Sequence, residues 1–208
     1  MEFTFDELDE ELALETEKNE GGSFGVLDTG VYDVVINFAS LSKTKKGNNT
    51  LALDITTADG HRTTLWSCFG TMDKFWASGA ENKYGYSDFQ AFRAVLGLKT
   101  LTPVPYSLKK DDGSLIKELT VVKELHGKKC VLAIQKELDI YNGEVSEKNI
   151  IKKTFNEKGQ TLIEMKANEP ASKRDGVASR LKDKHTTAYK AQGSAPAEEE
   201  PEEMSGLL

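Results

Sequence analysis

The sequence predicts a mainly β domain with one short helix, set between terminal segments that carry no core. Three observations predict it. Apolar residues alternate with a period of two over Tyr32, Val34, Ile36 and Phe38, and again over Leu51, Leu53 and Ile55, as half-buried strands do. Asp59-Gly60 and Asn142-Gly143 punctuate strand-like runs as hairpin turns. Apolar content is 38% over 208 residues, low for a chain folded throughout, so part of the length is expected to be disordered.

Residues 1–20 place Phe3, Phe5, Leu8, Leu12 and Leu14 among many acids. Thr4 and Glu7 are spaced as a capping box, so a short amphipathic helix and a frayed acidic arm both fit. Glu20-Gly21-Gly22-Ser23 closes the arm as a linker. Gly30 to Phe69 then reads as a three-stranded meander, its third strand running from Arg62 to Phe69 and carrying Trp66. Between the first two strands lies a basic loop, Lys43-Thr44-Lys45-Lys46-Gly47-Asn48-Asn49. Gly70 to Tyr86 is rich in rings (Phe75, Trp76, Tyr84, Tyr86), while Gly79, Asn82 and Gly85 break any long helix.

Ser87 and Gln90 fit a capping box that opens a helix; Phe89, Phe92 and Leu96 share its face, and Gly97 ends it. Thr100 to Ser107 contains Pro103 and Pro105, so it is extended but no central strand. Lys109 and Lys110 flank the turn at Asp111–Ser114, and Leu115 to Glu124 forms a short strand. Cys130 to Ile134 is an apolar run suited to a central strand, Asp139 to Glu144 a hairpin tip, and Lys148 to Phe155 the return strand with Lys152 and Lys153. From Lys166 the chain turns basic and poor in large apolar residues, with Lys173, Arg174, Arg180, Lys182, Lys184 and Lys190, before a small-residue linker and an acidic end. The expected divisions are an acidic arm at 1–22, a binding domain at 23–165 and a flexible segment with tail at 166–208.

Charge is segregated. Residues 1–20 hold nine acids and one lysine, for −8, and residues 192–208 hold five glutamates and no base, for −5. The whole chain carries −7, so residues 21–191 carry +6. A basic body between acidic ends points to an electrostatic function. The N-terminus has neither a basic nor a continuous apolar stretch and no window approaches a membrane span, so a cytoplasmic protein is expected, with Cys68 and Cys130 as buried free thiols.

Catalytic constellations are thin. There is no phosphate-binding glycine loop and no nucleophile elbow, and His61, His126 and His185 are scattered. No metal or other cofactor is expected. Asp28-Thr29-Gly30 matches the catalytic triplet of retroviral-type aspartic proteases, but no second copy accompanies it. Glu164-Met165-Lys166 matches a nuclease fragment without a partnering acid. A small nuclease or aspartic-protease-like enzyme therefore stands as an alternative, as does a protein-interaction adaptor built on the acidic ends.

The binding constellation is stronger. A three-strand meander, a helix, a central strand and a hairpin with its return strand is the order of an OB-fold, a five-stranded Greek-key barrel that binds oligonucleotides across strands two and three and the flanking loops. Those loops are Ser42–Asn49 and Leu138–Ser146. Lys43, Lys45 and Lys46 suit phosphates, with Lys109, Lys110, Lys128, Lys152 and Lys153 as further cations. Trp66, Phe69, Trp76 and Tyr141 suit base stacking, which is tolerant of sequence because every base has a π-face.

A barrel followed by a flexible segment and an acidic terminus resembles single-stranded DNA-binding proteins, especially those of tailed phages. Leu125-x-Gly127-Lys128 and Tyr141-x-Gly143 are the best local matches, and the likeness in layout covers residues 30–208. The resemblance implies a non-enzymatic protein that coats single strands during replication, recombination or repair, in the host cytoplasm if phage-encoded, with RNA left open as a ligand. It also implies that the tail, through Glu198, Glu199, Glu200, Glu202, Glu203, Leu207 and Leu208, competes with DNA and recruits partner proteins. This tail ends in Gly206-Leu207-Leu208 instead of the bacterial aspartate-rich run with Pro-Phe, which leaves the partner's identity open.

Overall fold

Gly30–Lys43 forms one long strand, β1, whose two edges serve three partners. The computed structural model describes residues 25–76, 78–109, 115–141 and 144–193. The order after β1 is β2 (Asn49–Thr57), β3 (Arg62–Leu65), α1 (Gly85–Val95), β4 (Pro103–Lys109), β5 (Leu115–Val122), β6 (Lys129–Tyr141) and β7 (Glu144–Phe155). It closes with α2 (Leu162–Ala167), α3 (Arg174–Ala178), the short β8 (Lys184–His185) and α4 (Thr187–Gly193). The chain is mainly β with a few short helices. Among the described residues no helix is long and apolar enough to cross a membrane.

β1 pairs with β2 along one edge, and β2 with β3, all antiparallel. On its other edge β1 pairs first with β6, from Gly30 to Val35, and later with β5, at Ser40 and Leu41. β4 lies outermost beside β5, where Pro103 and Pro105 cost no inner-ladder hydrogen bonds, as expected for an extended segment that is no central strand. β7 pairs with β6 and meets the continuation of β3, where the Ile151 N–H donates to the Cys68 carbonyl at 3.0 Å. That bond brings β7 against the segment that follows β3.

Ile36, Leu51, Leu53, Ile55, Leu65, Leu132, Ile134 and Ile151 fill that core with no exposed surface to speak of. Each such side chain contributes about 1.5–3 kcal/mol, and a one-residue slip of any strand would turn its set outward. The expected alternation of β1 holds only as far as Ile36. A bulge between Ile36 and Phe38 inserts Asn37, so Val34 and Ile36 point inward, then Ala39, and Phe38 leaves the core.

β3 also ends earlier than expected, at Leu65; Ser67, at φ +47°, turns the chain so that Cys68 and Phe69 are buried. Phe69 packs on Phe89 and Phe92 of α1, with ring centres 5.8 and 5.1 Å away. The capping box expected at Ser87 does not form. α1 begins two residues earlier, where Asn82 Oδ1 accepts from the Gly85 N–H at 3.2 Å, and Ser87 donates to the Tyr84 carbonyl. A Cβ at residue 85 would sit 2.5 Å from the carbonyl oxygens of Phe69 and Thr71, so only glycine fits there. Gly97 ends the helix at φ +70°. Cys68 and Cys130 are free and buried, and burial pushes the Cys130 thiol up to about 12.

Residues 166–193, expected to be flexible, are packed on the body. Val177 and Leu181 cover a second apolar cluster on the outer face of β6 and β7, made by Val131, Ala133 and Phe155. Arg174 pairs with Asp33 at 2.6 Å, Asp183 accepts from the Thr29 hydroxyl at 2.6 Å, and Lys184 pairs with Glu137. β8 adds two residues in parallel to β6, and the Thr186 N–H donates to the Leu138 carbonyl at 3.0 Å. Two apolar residues plus backbone pairing replace the large core that the composition lacks.

Candidate nucleic-acid interface

On β3, Thr63 and Leu65 point inward, which leaves Arg62, Thr64 and the next residue, Trp66, outward. Continuing the β2–β3 register sets Trp66 opposite Ala52, which itself pairs with Ser40 of β1. Ala52 and Ser40 are short, so they form a low floor. On β1 the bulge has turned Phe38 to this same outer face, opposite Asp54. Phe38 lies 5.2 Å from the His126 ring and meets Tyr106 edge-on at 6.0 Å. Burial, with Lys123 adding to it, pushes the His126 pKa below its ordinary range, so the ring is neutral near pH 7 and packs as an aromatic. Trp66 and Phe38 thus stand on strands two positions apart and two residues out of line, roughly 12 Å between their backbones.

The one carboxylate in this stretch is covered. Asp54 is buried, takes Nε and Nη2 of Arg62 at 3.0 and 3.1 Å, and accepts from Asn37 Nδ2 at 2.7 Å. A paired carboxylate repels a passing phosphate far less than a free one.

The basic loop is fixed to the aromatic loop. Gly47, at φ +82°, closes a turn in which its N–H donates to the Thr44 carbonyl at 2.8 Å. Lys43, Lys45 and Lys46 all point to solvent around it. Asn49, at the loop's end, donates its backbone N–H and its side-chain amide to the two oxygens of Asp73, each at 2.7 Å. Its carbonyl accepts from the Thr71 hydroxyl at 3.1 Å and the Met72 N–H at 3.0 Å.

Asn82 continues the stitching by donating to the carbonyls of Thr71 and Asp73, both at 2.9 Å. The segment held this way presents Phe75 and Trp76, with exposures of 53% and 42%, beside Lys74, whose Nζ lies 5.5 Å from the Phe75 ring centre. Trp66 is 65% exposed and Tyr84 82%. These values decide against a core role: an apolar ring that packs inside a fold is not left more than two-fifths in water.

The third group comes from β7. The β6–β7 register shifts between Ala133 and Ile134, which leaves Lys152 as an extra residue, so Lys152 and Lys153 are both exposed in succession. They act on Asp88 in the first turn of α1: burial raises its carboxyl pKa and the two lysines oppose that shift. Lys152 directly follows Ile151, whose N–H is bonded to the carbonyl of Cys68, two residues past Trp66.

The structure therefore ties the loop of Lys43, Lys45 and Lys46 to the segment that carries Trp76, and places Lys152 and Lys153 beside Asp88 of α1. It does not bring Phe69, which is core for the reason given above. Lys128 also stands apart: its carbonyl accepts from the Ile36 N–H on the edge of β1 that faces away from β2. The β4–β5 hairpin runs past the Lys43 end of β1, which sets the backbone of Lys109 at the basic-loop end of the sheet. The Lys109 and Tyr141 side chains, Lys110 and the whole tail, Glu198 to Leu208, lie outside the described residues. Sequence reasoning missed Phe38, Tyr106, Lys74 and the clamp of Asp73 and Asn82.

The two acids singled out for catalysis have other work. Asp28 is exposed and pairs with Lys136 at 3.9 Å. Glu164 is fully buried and caps α2: it accepts from the Thr161 N–H and hydroxyl and from the Ser172 N–H and hydroxyl, all at 2.8 Å. The Thr161 N–H above all, with the Ser172 and Thr161 hydroxyls, holds its carboxyl down to about 2. Asp28 shares the Lys136 ammonium with Glu147, whose carboxylate lies 3.0 Å from it.

No protein-family model matches the chain, and no curated protein sequence matches it.

Proposed function

We propose that the chain binds single-stranded DNA without sequence preference, on the outer face bounded by the basic loop, Trp66 and the Lys74–Trp76 segment. The observation that carries the reading is the pair of Asn49–Asp73 hydrogen bonds, which ties the loop of three lysines to the segment that carries exposed rings. Phosphates go to Lys43, Lys45 and Lys46 and on to Lys152 and Lys153; bases stack on Trp66, Trp76 and their neighbours at about 1–3 kcal/mol each.

The OB-fold reading of the architecture is supported by the meander β1–β3, the helix after it, the return of β6 to β1 and the approach of β7 to Cys68. On that reading β4 and β5 are a hairpin inserted between helix and fourth barrel strand. A role in replication, recombination or repair, and a tail that competes with DNA before recruiting a partner, complete the proposal by resemblance. Titration of tryptophan fluorescence with oligo-dT, repeated with a duplex of equal length, tests it: single strands are expected to bind tighter.

A further inference from the structure

The chain enters the fold beside the proposed face. Leu27 is buried, and its N–H and carbonyl are both bonded to the Asn149 side-chain amide, at 2.8 and 2.7 Å, as a neighbouring strand would bond them. Asn149 lies on β7 two residues before Ile151, which bonds Cys68, two residues after Trp66. The distance along β7 from the anchor to that seam is about 7 Å. The residues preceding Gly25 thus begin at one side of the face, and 24 residues at random-coil dimensions would span roughly 27 Å.

Those residues carry charge and rings in the right chemistry. Residues 1–20 hold nine acids against Lys18, and Phe3 and Phe5 stand among them. Carboxylates with interspersed rings present what single-stranded DNA presents: anions for Lys43, Lys45, Lys46 and Lys152, and flat apolar faces for Trp66 and Trp76. The C-terminal glutamates offer anions alone, with no ring among residues 192–208.

We infer that the acidic N-terminal arm folds back onto this face and occupies it when no nucleic acid is bound, an inference that rests on the reading of the face proposed above. The arm is an intramolecular occupant, so weak individual contacts suffice at effective concentrations on the order of mM. DNA supplies more charge and stacking and displaces it. The arm then sets a threshold: short or weakly bound strands fail to open the face.

Both tryptophans of the chain lie on the face, so acrylamide quenching of their fluorescence reports its occupancy. The test compares the full chain with a full-length variant in which the nine acids of residues 1–20 are replaced by Gln and Asn. Without nucleic acid at low salt, quenching is expected to be about twofold weaker in the parent, with the difference removed by high salt. The variant is also expected to bind oligo-dT about three- to tenfold more tightly at low salt. Equal quenching of the two chains at low salt overturns the inference, as does protection that rises with protein concentration, which would assign the face to a second copy. If neither chain binds oligo-dT and the quenching difference persists, the arm docks and the nucleic-acid reading falls. If oligo-dT binds both equally and quenching is equal, the reverse holds.

Discussion

Asp73 accepts two hydrogen bonds of 2.7 Å from Asn49, one from its backbone N–H and one from its side-chain amide. The two residues are 24 positions apart, and through them the basic loop and the aromatic loop become one surface.

Asp73→Ala should therefore separate the two loops without unfolding the body. Hydrogen bonds to a charged group near the surface contribute about 1 kcal/mol net, so a small fall in Tm is expected. Oligo-dT affinity should fall roughly tenfold, or 1.4 kcal/mol, because ammonium groups and rings no longer engage one strand together. Unchanged affinity by fluorescence titration would remove the clamp from the account.

Lysines and rings should separate in their salt response. Changing Lys43, Lys45 and Lys46 to Ala together should flatten the slope of log K against log salt by up to about 2, at about 0.7 per lost phosphate contact. Trp66→Ala should cost about 1–3 kcal/mol of binding with the slope unchanged. Since Trp66 is mostly exposed, its stability should stay within about 0.5 kcal/mol of the parent by denaturant unfolding.

The meander was legible because each strand keeps a period of two, and the bland turns at Asp59-Gly60 and Gly97 are local signals. The period of two puts Phe38 inside, but a single inserted residue, Asn37, reverses the alternation, and no composition rule marks a bulge. Phe69 reads as a contact in the sequence, but Ser67 turns the chain in a conformation the sequence does not advertise. The Asn49–Asp73 clamp has no periodicity at all. The composition of residues 166–193 reads as unstructured since their apolar docking rests on Val177 and Leu181, and their bonds to Asp33, Glu137 and Leu138 are invisible without the fold.

That docking gives a further expectation. Leu181→Asp places a carboxylate against Val131, Ala133 and Phe155, and should free residues 166–193 from the body. Limited proteolysis should then cut within that stretch far faster than in the parent, while the β6–β1 pairing keeps its hydrogen-exchange protection. Equal cleavage rates would show that the polar pairs alone hold the segment.

Glu164 should make stability acid-sensitive. Its folded carboxyl titrates near 2, below the ordinary value of 4.5, so its contribution is complete above about 4.5 and is lost as pH falls toward 2. Glu164→Gln should lower Tm at pH 7 and remove that part of the decline between pH 4.5 and 2. A parallel decline in both proteins, followed by circular dichroism, would mean that other carboxylates govern acid unfolding.

The central claim is tested most directly by titrating the full chain with oligo-dT and with a duplex of the same length, each at low and at high salt. The account predicts tighter binding to the single strand at both salts, quenching of Trp66 and Trp76 on binding, and weaker binding as salt rises. Equal or tighter binding to the duplex, or no tryptophan response to oligo-dT, would contradict it.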